Sequence, residues 1–460
     1  MQKKILFNIL IIFLLFKIIQ FFFFNITAPL EQPFGIWQIL NKKLLNDNLI
    51  SSIYYLHNQP FLWNLLVGLI TKLFNGNETY IRNFINFYNL FLTFGIIIYS
   101  IKIASEYNLS NFKIYIIVFF LLFNPAIIFW ENLLYYYHTI CFLIFQINYC
   151  AIKFFKRYYL KYEIYIYLNL VTLIFIWSLF NPIILLIFFL LTIYRYKYKR
   201  TSIILCCLFL FISFIPNIKN YFVFGTMQSS WLGQQIAITT NTVRPVEYCV
   251  IGPINYSEEN LQNYYKLFNK KKQFNHPSLV GNLSERNYVG NFYLSKLCLD
   301  RSIDLIKKNF KVYFKGIIFE FLSLHGKMLI DHSIYHGSPQ GWEFISDKIR
   351  FIDKNLRLYK QILNISLMLF IYYYFINKIF FTKINKSRKF FLLFFFFLYF
   401  YIIFMGSVFS KYEGERFIYV GYTIFVLFLI NLFSTIKSIT ISKLLISFKN
   451  FFTFKYKHFK

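Results

Sequence analysis

The sequence predicts an all-α polytopic membrane protein with about ten transmembrane helices, outer-face interfacial helices and one large outer loop. Hydrophobic residues make up 58% of its 460 residues and charged residues only 15%, whereas soluble domains usually carry about 25% charged residues. Apolar runs of about 20 residues, the length that spans a bilayer, recur along the chain, and clusters of Lys and Arg separate them. A water-soluble fold is excluded, because so few charges cannot cover a surface.

Ten apolar segments are candidate spans: residues 5–24, 83–101, 112–130, 138–155, 162–180, 183–198, 202–218, 361–379, 390–408 and 417–435. An eleventh apolar stretch, residues 60–74, is short, and we predict that it lies along the interface without crossing. With that assignment the basic clusters all fall on one side of the membrane. The positive-inside rule then places both termini in the cytoplasm.

This topology divides the chain into four parts: residues 1–218, an N-terminal transmembrane catalytic module with a first outer loop at 25–82; 219–360, a large outer loop; 361–436, the C-terminal transmembrane helices; and 437–460, a basic cytoplasmic tail. In the large loop, residues 297–324 alternate apolar and charged positions with helical spacing, which predicts an amphipathic helix on the membrane surface. An eleventh span is the alternative there. Cys249 and Cys298 share this loop, so the sequence leaves a disulfide between them open.

The formal net charge of +30 does not predict a nucleic-acid partner. Lys and Arg accumulate in the cytoplasmic loops of membrane proteins, and the richness in Lys, Asn, Ile, Phe and Tyr is typical of an A+T-rich genome. No spacing of Cys and His matches a zinc site. We therefore predict no metal site and no cofactor, and leave a divalent cation open.

Charged residues near the ends of spans are the candidate functional residues, because an ionisable group at membrane depth is expensive. Glu31 follows the first span, Glu131 ends the third and His138 opens the fourth. Each carboxylate has an ordinary alternative: Glu31 can be a loop residue between two prolines, and Glu131 can cap the start of a short helix.

Two further candidates are basic. Lys219 follows the seventh span, and Arg416 lies in the polar stretch KYEGERFIYVGY, residues 411–422. Arg416 can instead pair with Glu413 or Glu415 and extend to the headgroups. Together, the acids and bases describe an outward cleft that binds an anionic headgroup beside a proton acceptor. A transferase that takes a sugar from a polyprenyl phosphate needs both, with Arg416 on the phosphate and Glu31 accepting the proton of the attacking hydroxyl.

Several stretches resemble the GT-C superfamily of integral-membrane glycosyltransferases, in the branch with protein O-mannosyltransferases and aminoarabinose transferases. In HNQPFLWNLLVGLITKLFNGNETYIRNFINF, Pro60 would lead an interfacial helix, Phe74 and Gly76 would form the turn after it, and Arg82 would begin the next span. NPAIIFWENLLYYYHTICF, IPNIKNYFVFGTMQSSWLGQQI and GERFIYVGY resemble the family's second outer loop, its mid-chain run and its Glu-x-Arg-Tyr stretch.

The resemblance implies a role for each candidate residue. Glu31 and Glu131 would be catalytic, although the family's first outer loop usually carries Asp. The donor phosphate would bind Arg416, Lys219, where the family has Arg, and Arg82, and the supporting residues would be Glu415, His57 and His138.

The expected function is the transfer of a single sugar from a polyprenyl-phosphate donor to a hydroxyl or amine on the outer face, with inversion. The expected partners are the donor, a lipid, glycan or protein acceptor, and the bilayer. The expected location is a bacterial inner membrane, as part of the cell-envelope machinery. Two alternatives stay open: a lipid-linked oligosaccharide ligase or polymerase, which would use loop residues such as Arg244 and Arg286, and a transporter, which predicts charges deep inside spans.

Overall fold

The computed structural model describes residues 2–27, 34, 39–196, 200–230, 232, 236–237, 258–268, 274–280, 284, 287–326, 359, 362, 365–409 and 425–434. Within these ranges the chain is helical and contains no β-strand. Several of the helices are apolar enough to cross a membrane. The prediction of an all-α, multi-pass membrane protein is therefore confirmed.

The helices whose ends lie within the described residues are α1 (Gln2–Phe22), α2 (Lys42–Asp47), α3 (Leu49–Tyr54), α4 (Phe61–Leu73), α5 (Glu78–Glu106), α6 (Asn111–Leu122), α7 (Pro125–Glu131), α8 (Tyr137–Lys156), α9 (Leu160–Ile176), α10 (Ile183–Tyr196), α11 (Arg200–Phe224), α12 (Glu258–Leu267), α13 (Asn291–Lys308), α14 (Phe310–Gly326), α15 (Ile365–Phe381), α16 (Lys386–Phe409) and α17 (Phe425–Ser434). The last turns of α15, Asn377–Phe381, form a π-helix.

Five helices in the described chain, α1, α5, α8, α11 and α16, are long and apolar enough to cross a membrane, and the bent pair α6 and α7 makes a sixth if it is one span. Helices α4, α10, α15 and α17 are apolar but shorter. Each of the ten predicted spans contains a helix or the bent pair, but the number of ten crossings stays a prediction. Helix α4 has 13 residues and is about 20 Å long, less than the roughly 30 Å hydrocarbon layer.

Basic side chains gather at one end of the helix bundle, which we call the basic end. There the end of α5 meets the end of α8, and the start of α16 meets the ends of α10 and α17. The contacts are Lys156 with Glu106 at 3.2 Å, Arg195 with Ser387 at 3.0 Å, Arg388 with Ser434 at 2.5 Å, and Lys113 with the carbonyl oxygen of Phe433 at 2.7 Å. Successive helices run in opposite directions, so the loops that line the cavity described below lie at the other end of the bundle. We call this end the cavity end.

The third predicted span, residues 112–130, is not one straight helix. Helices α6 and α7 meet at an angle of 54°. Asn124 has extended backbone dihedrals and Pro125 begins α7. A proline disfavours helical dihedrals in the residue before it, so the helix breaks there. The side-chain oxygen of Asn124 accepts hydrogen bonds from the N–H groups of Ala126 and Ile127 and starts α7 anew.

The predicted amphipathic helix at 297–324 is two helices, because Asn309 breaks the run between α13 and α14. Helix α14 packs on α16, where the Phe321 ring lies 6.0 Å from that of Phe400. On α13, Cys298 is buried and disulfide-bonded. The four other cysteines of the described chain are not disulfide-bonded. Cys249, the partner that the sequence suggests, lies outside the described residues.

Helix α11 continues past the predicted boundary between residues 218 and 219. Pro216 lies inside the helix, where a proline removes one backbone hydrogen bond without necessarily ending the helix. After the helix the chain turns back along it, and the side-chain amides of Asn217 and Asn220 donate to the carbonyl oxygens of Met227 and Gln228. Lys219 therefore belongs to the last turns of α11 and is held by a helix.

Candidate functional site

A cavity of about 670 Å³ lies at the cavity end of the bundle. Its walls come from four parts of the chain: the connection from α3 to α4, the turn from α9 to α10, the last turns of α11 with the segment that follows, and Met405 of α16. Ile53, Ile174, Leu179, Ile215 and Met405 contribute apolar wall. Cavities of 300–1,000 Å³ with an apolar lining and a few polar groups are typical of small-molecule sites.

Lys219 is the one charged side chain among the described residues that line this cavity. Its ammonium group donates a hydrogen bond to the backbone carbonyl oxygen of Leu56 and lies 5.7 Å from the centre of the Phe224 ring. An ammonium group has three N–H donors, so this contact leaves donors for a ligand. The structure thus places Lys219 on the cavity wall, and its phosphate-binding role stays a prediction.

His57 lies beside Lys219 and is almost fully buried. Its Nδ1 atom is 2.8 Å from the hydroxyl oxygen of Ser230, and its ring packs 4.9 Å from Phe224 and 4.5 Å from Phe292. Burial and the Lys219 charge hold the pKa of His57 well below its usual range. The imidazole is therefore neutral at pH 7 and forms part of the cavity wall.

We expect stability to fall in acid because of His57. Its pKa is lower in the folded than in the unfolded protein, so the unfolded chain binds more protons, and the loss begins as pH drops below about 6.5, the unperturbed value. The measurement is the melting temperature in nanodiscs between pH 8 and pH 5. His276, whose pKa burial also lowers, gives a smaller contribution of the same sign. His57→Phe should therefore weaken the dependence, and an unchanged dependence would contradict the assignment.

Asn287 fixes the backbone that forms one cavity wall. Its side-chain oxygen accepts from the N–H of His57 at 3.0 Å, and its amide nitrogen donates to the carbonyl oxygens of Tyr55 at 3.2 Å and Ser278 at 2.9 Å. Asn287 itself is buried. One side chain thereby joins the α3–α4 connection to the segment before α13.

Replacing Asn287 with alanine should destabilise the protein by about 2–4 kcal/mol, because three buried or partly buried backbone groups lose their partner at about 1 kcal/mol or more each. A thermal melt in detergent measures this. The control is Gln262→Ala, which removes an exposed hydrogen bond to Glu258 within α12. Equal melting temperatures for Asn287→Ala and Gln262→Ala would show that the hydrogen bonds of Asn287 do not stabilise the protein by this amount.

Glu131 does not line the cavity. It is the last residue of α7, so it does not cap the start of a helix. Its carboxylate is buried and forms an ion pair with Lys17 of α1 at 2.5 Å, and Lys17 also donates to Gln20 at 2.9 Å. The amide of Asn89 binds the backbone oxygen of Glu131 at 2.9 Å. These contacts connect α1 and α5 to α7, the second helix of the bent pair.

The other described candidates also lie away from the cavity lining. His138, the second residue of α8, is buried with its Nε2 atom 2.9 Å from the hydroxyl of Thr93. Arg82 lies in the first turns of α5 and is partly exposed. The predicted local structure around it is present: Pro60 precedes α4, Phe74 ends it, and Gly76 adopts φ of +72°.

Three of the predicted site residues, Glu31, Glu415 and Arg416, lie outside the described residues. No group of three or more His, Cys, Asp or Glu side chains in the described part of the chain could hold a metal ion. Sequence reasoning missed Lys17 and Asn287. Lys17 carried a usable signal, since a single charge within a span requires a partner. Asn287 carried none, because two of its three partners, His57 and Tyr55, are about 230 residues away.

The fold and this cavity define a class: multi-pass helical membrane proteins with a largely apolar cavity, which carries a few polar groups, at one end of the bundle. No family model, no curated protein and no solved structure matches the chain.

Proposed function

We propose that the protein is a membrane glycosyltransferase that moves a single sugar from a polyprenyl-phosphate donor to an acceptor hydroxyl or amine. The supporting observation is the cavity, which combines apolar walls with one ammonium group at the end of the bundle opposite the basic end. A polyprenyl-phosphate sugar has matching parts, since its tail is apolar, its phosphate is anionic and its sugar is polar. Lys219 would bind the phosphate.

In the proposed reaction the acceptor oxygen or nitrogen attacks the anomeric carbon and forms the new glycosidic bond. The bond between that carbon and the phosphate oxygen breaks, and the electron pair leaves with the polyprenyl phosphate. The acceptor's proton passes to a base. Attack opposite the leaving group inverts the anomeric carbon. The Lys219 ammonium would stabilise the negative charge that grows on the leaving phosphate.

Glu31, Arg416 and Glu415 keep the roles that the resemblance implies, whereas Arg82, His138 and Glu131, which do not line the cavity, are given other roles. Glu31 is proposed as the base, and Arg416, with Glu415 beside it, as a second phosphate ligand. Arg82 and His138 are proposed to act at a distance from the cavity, on donor entry and helix packing. Glu131 is proposed to hold α7 in place through its ion pair with Lys17.

The basic end is proposed to face the cytoplasm and the cavity end the outside, as the positive-inside rule requires. With ten crossings, both termini would be cytoplasmic. In a bacterial inner membrane, polyprenyl-phosphate donors would then reach the cavity from the outer leaflet.

The test uses purified protein in nanodiscs with acceptor-containing membrane extract and a panel of radiolabelled polyprenyl-phosphate sugars. A transferase releases polyprenyl phosphate and yields a single-sugar product. A product that carries a whole oligosaccharide would favour a ligase. Movement of the intact donor across a vesicle membrane without release of polyprenyl phosphate would favour a transporter, and either result would contradict the proposal.

A further inference from the structure

The polar part of the cavity wall is made mainly of carboxamides. Six described lining residues carry one: Asn58, Gln59, Asn181, Asn217, Asn220 and Gln228. The hydroxyls of Ser178, Ser213 and Ser229 also line it. A carboxamide both donates and accepts hydrogen bonds and carries no charge at any pH. Among the described lining residues there is no carboxylate.

Some of these amide groups have unused hydrogen-bonding capacity. The Oδ1 atoms of Asn58 and Asn220 are buried and have no hydrogen-bond partner in the described part of the chain. The Gln59 oxygen accepts from the Ser178 hydroxyl at 3.5 Å, the outer limit of a hydrogen bond. Buried polar atoms without a partner are costly and need a water or a ligand.

We infer that the cavity selects a neutral, hydroxyl-rich sugar over an amino sugar or a uronic acid. This inference rests on the proposed function and names its substrate class. Sugar hydroxyls donate and accept, as carboxamides do, so they match this wall. The ammonium group of an amino sugar would face the like charge of Lys219. The described lining offers it no carboxylate, and Glu31, the proposed base, would be engaged with the acceptor's proton. A uronate would compete with the phosphate for the same lysine, and a buried charge without a partner is costly.

Binding to wild-type protein in nanodiscs tests the inference. The ligands share one polyprenyl phosphate and carry a neutral hexose, a 4-amino pentose, a hexuronic acid or no sugar. We expect the neutral donor to bind at least about tenfold more tightly than the other three, the factor of one well-made hydrogen bond. Preference for a charged donor, or for the donor without a sugar, would overturn the inference and leave the proposed transferase standing. If none of the four binds, both fail.

Gln59→Glu provides a sharper test, because it replaces a lining carboxamide with a carboxylate of nearly the same shape. We expect this variant to gain about tenfold in affinity for the amino-sugar donor relative to the neutral donor. The control is Gln262→Glu, the same change at an exposed position of α12, which does not line the cavity. The inference would be overturned if the ratio of the affinities for the amino-sugar and neutral donors were the same in Gln59→Glu and Gln262→Glu. This holds even if the wild type prefers the neutral donor.

Discussion

Replacing Lys17 with methionine should destabilise the protein by about 3–5 kcal/mol, the usual effect of removing one partner of a buried ion pair. Both side chains of the pair are largely shielded, with 13% of the Lys17 side chain and 5% of the Glu131 side chain exposed. The variant leaves the Glu131 carboxylate buried among apolar groups without its cation. The double variant Lys17→Met/Glu131→Gln removes both charges and should recover most of the loss.

Lys156→Met is the matched control for this effect. Lys156 also forms an ion pair, with Glu106 at 3.2 Å, but 64% of its side chain is exposed. Exposed pairs contribute at most about 1 kcal/mol, and Lys153 also pairs with Glu106. Melting temperatures in the same detergent give the comparison. The ion pair would not carry the expected stability if the melting temperature of Lys17→Met fell no further than that of Lys156→Met. The same would follow if the double variant melted no higher than Lys17→Met.

Replacing Lys219 with alanine should lower kcat/KM for the polyprenyl-phosphate donor by about 10²–10³, the usual effect of losing one donor that stabilises transition-state charge. Lys219 is the one charged side chain of the described cavity lining, so no described neighbour replaces it. Lys219→Arg keeps the positive charge and should retain more activity than Lys219→Ala. Turnover assays over a range of donor concentrations separate the loss in kcat from the change in KM.

Lys72→Ala is the control for Lys219, because Lys72 is an exposed lysine in the last turn of α4 and does not line the cavity. It should retain wild-type turnover. Melting temperatures of the three variants must stay near the wild-type value, so that lost activity reflects lost chemistry. Wild-type turnover in a folded Lys219→Ala variant would contradict the phosphate-binding role.

The sequence predicted the helices well, because an apolar run of about 20 residues is a local signal. The predicted interfacial stretch is α4, and the segment at 138–155 lies within α8. The bend at Pro125 was missed, because hydropathy averages over a window that contains both α6 and α7. The Asn-Pro pair was the signal that could have found it.

The site was harder to predict, because its residues meet only through the fold. Glu131 was recognised as an expensive charge, but its partner Lys17 is 114 positions away. The same holds for the cavity, which brings Gln59, Ser178 and Lys219 together from three segments. Single carboxamides are common in so Asn-rich a chain, so nothing local marked the six that line the cavity.

A structure determined by cryo-electron microscopy in nanodiscs with a bound polyprenyl-phosphate sugar tests the central claim most directly. The account predicts that the phosphate lies within hydrogen-bond distance of the Lys219 ammonium, with the sugar against the carboxamide wall and the tail along the apolar residues. Donor bound at another place, with this cavity holding only water, would contradict the claim.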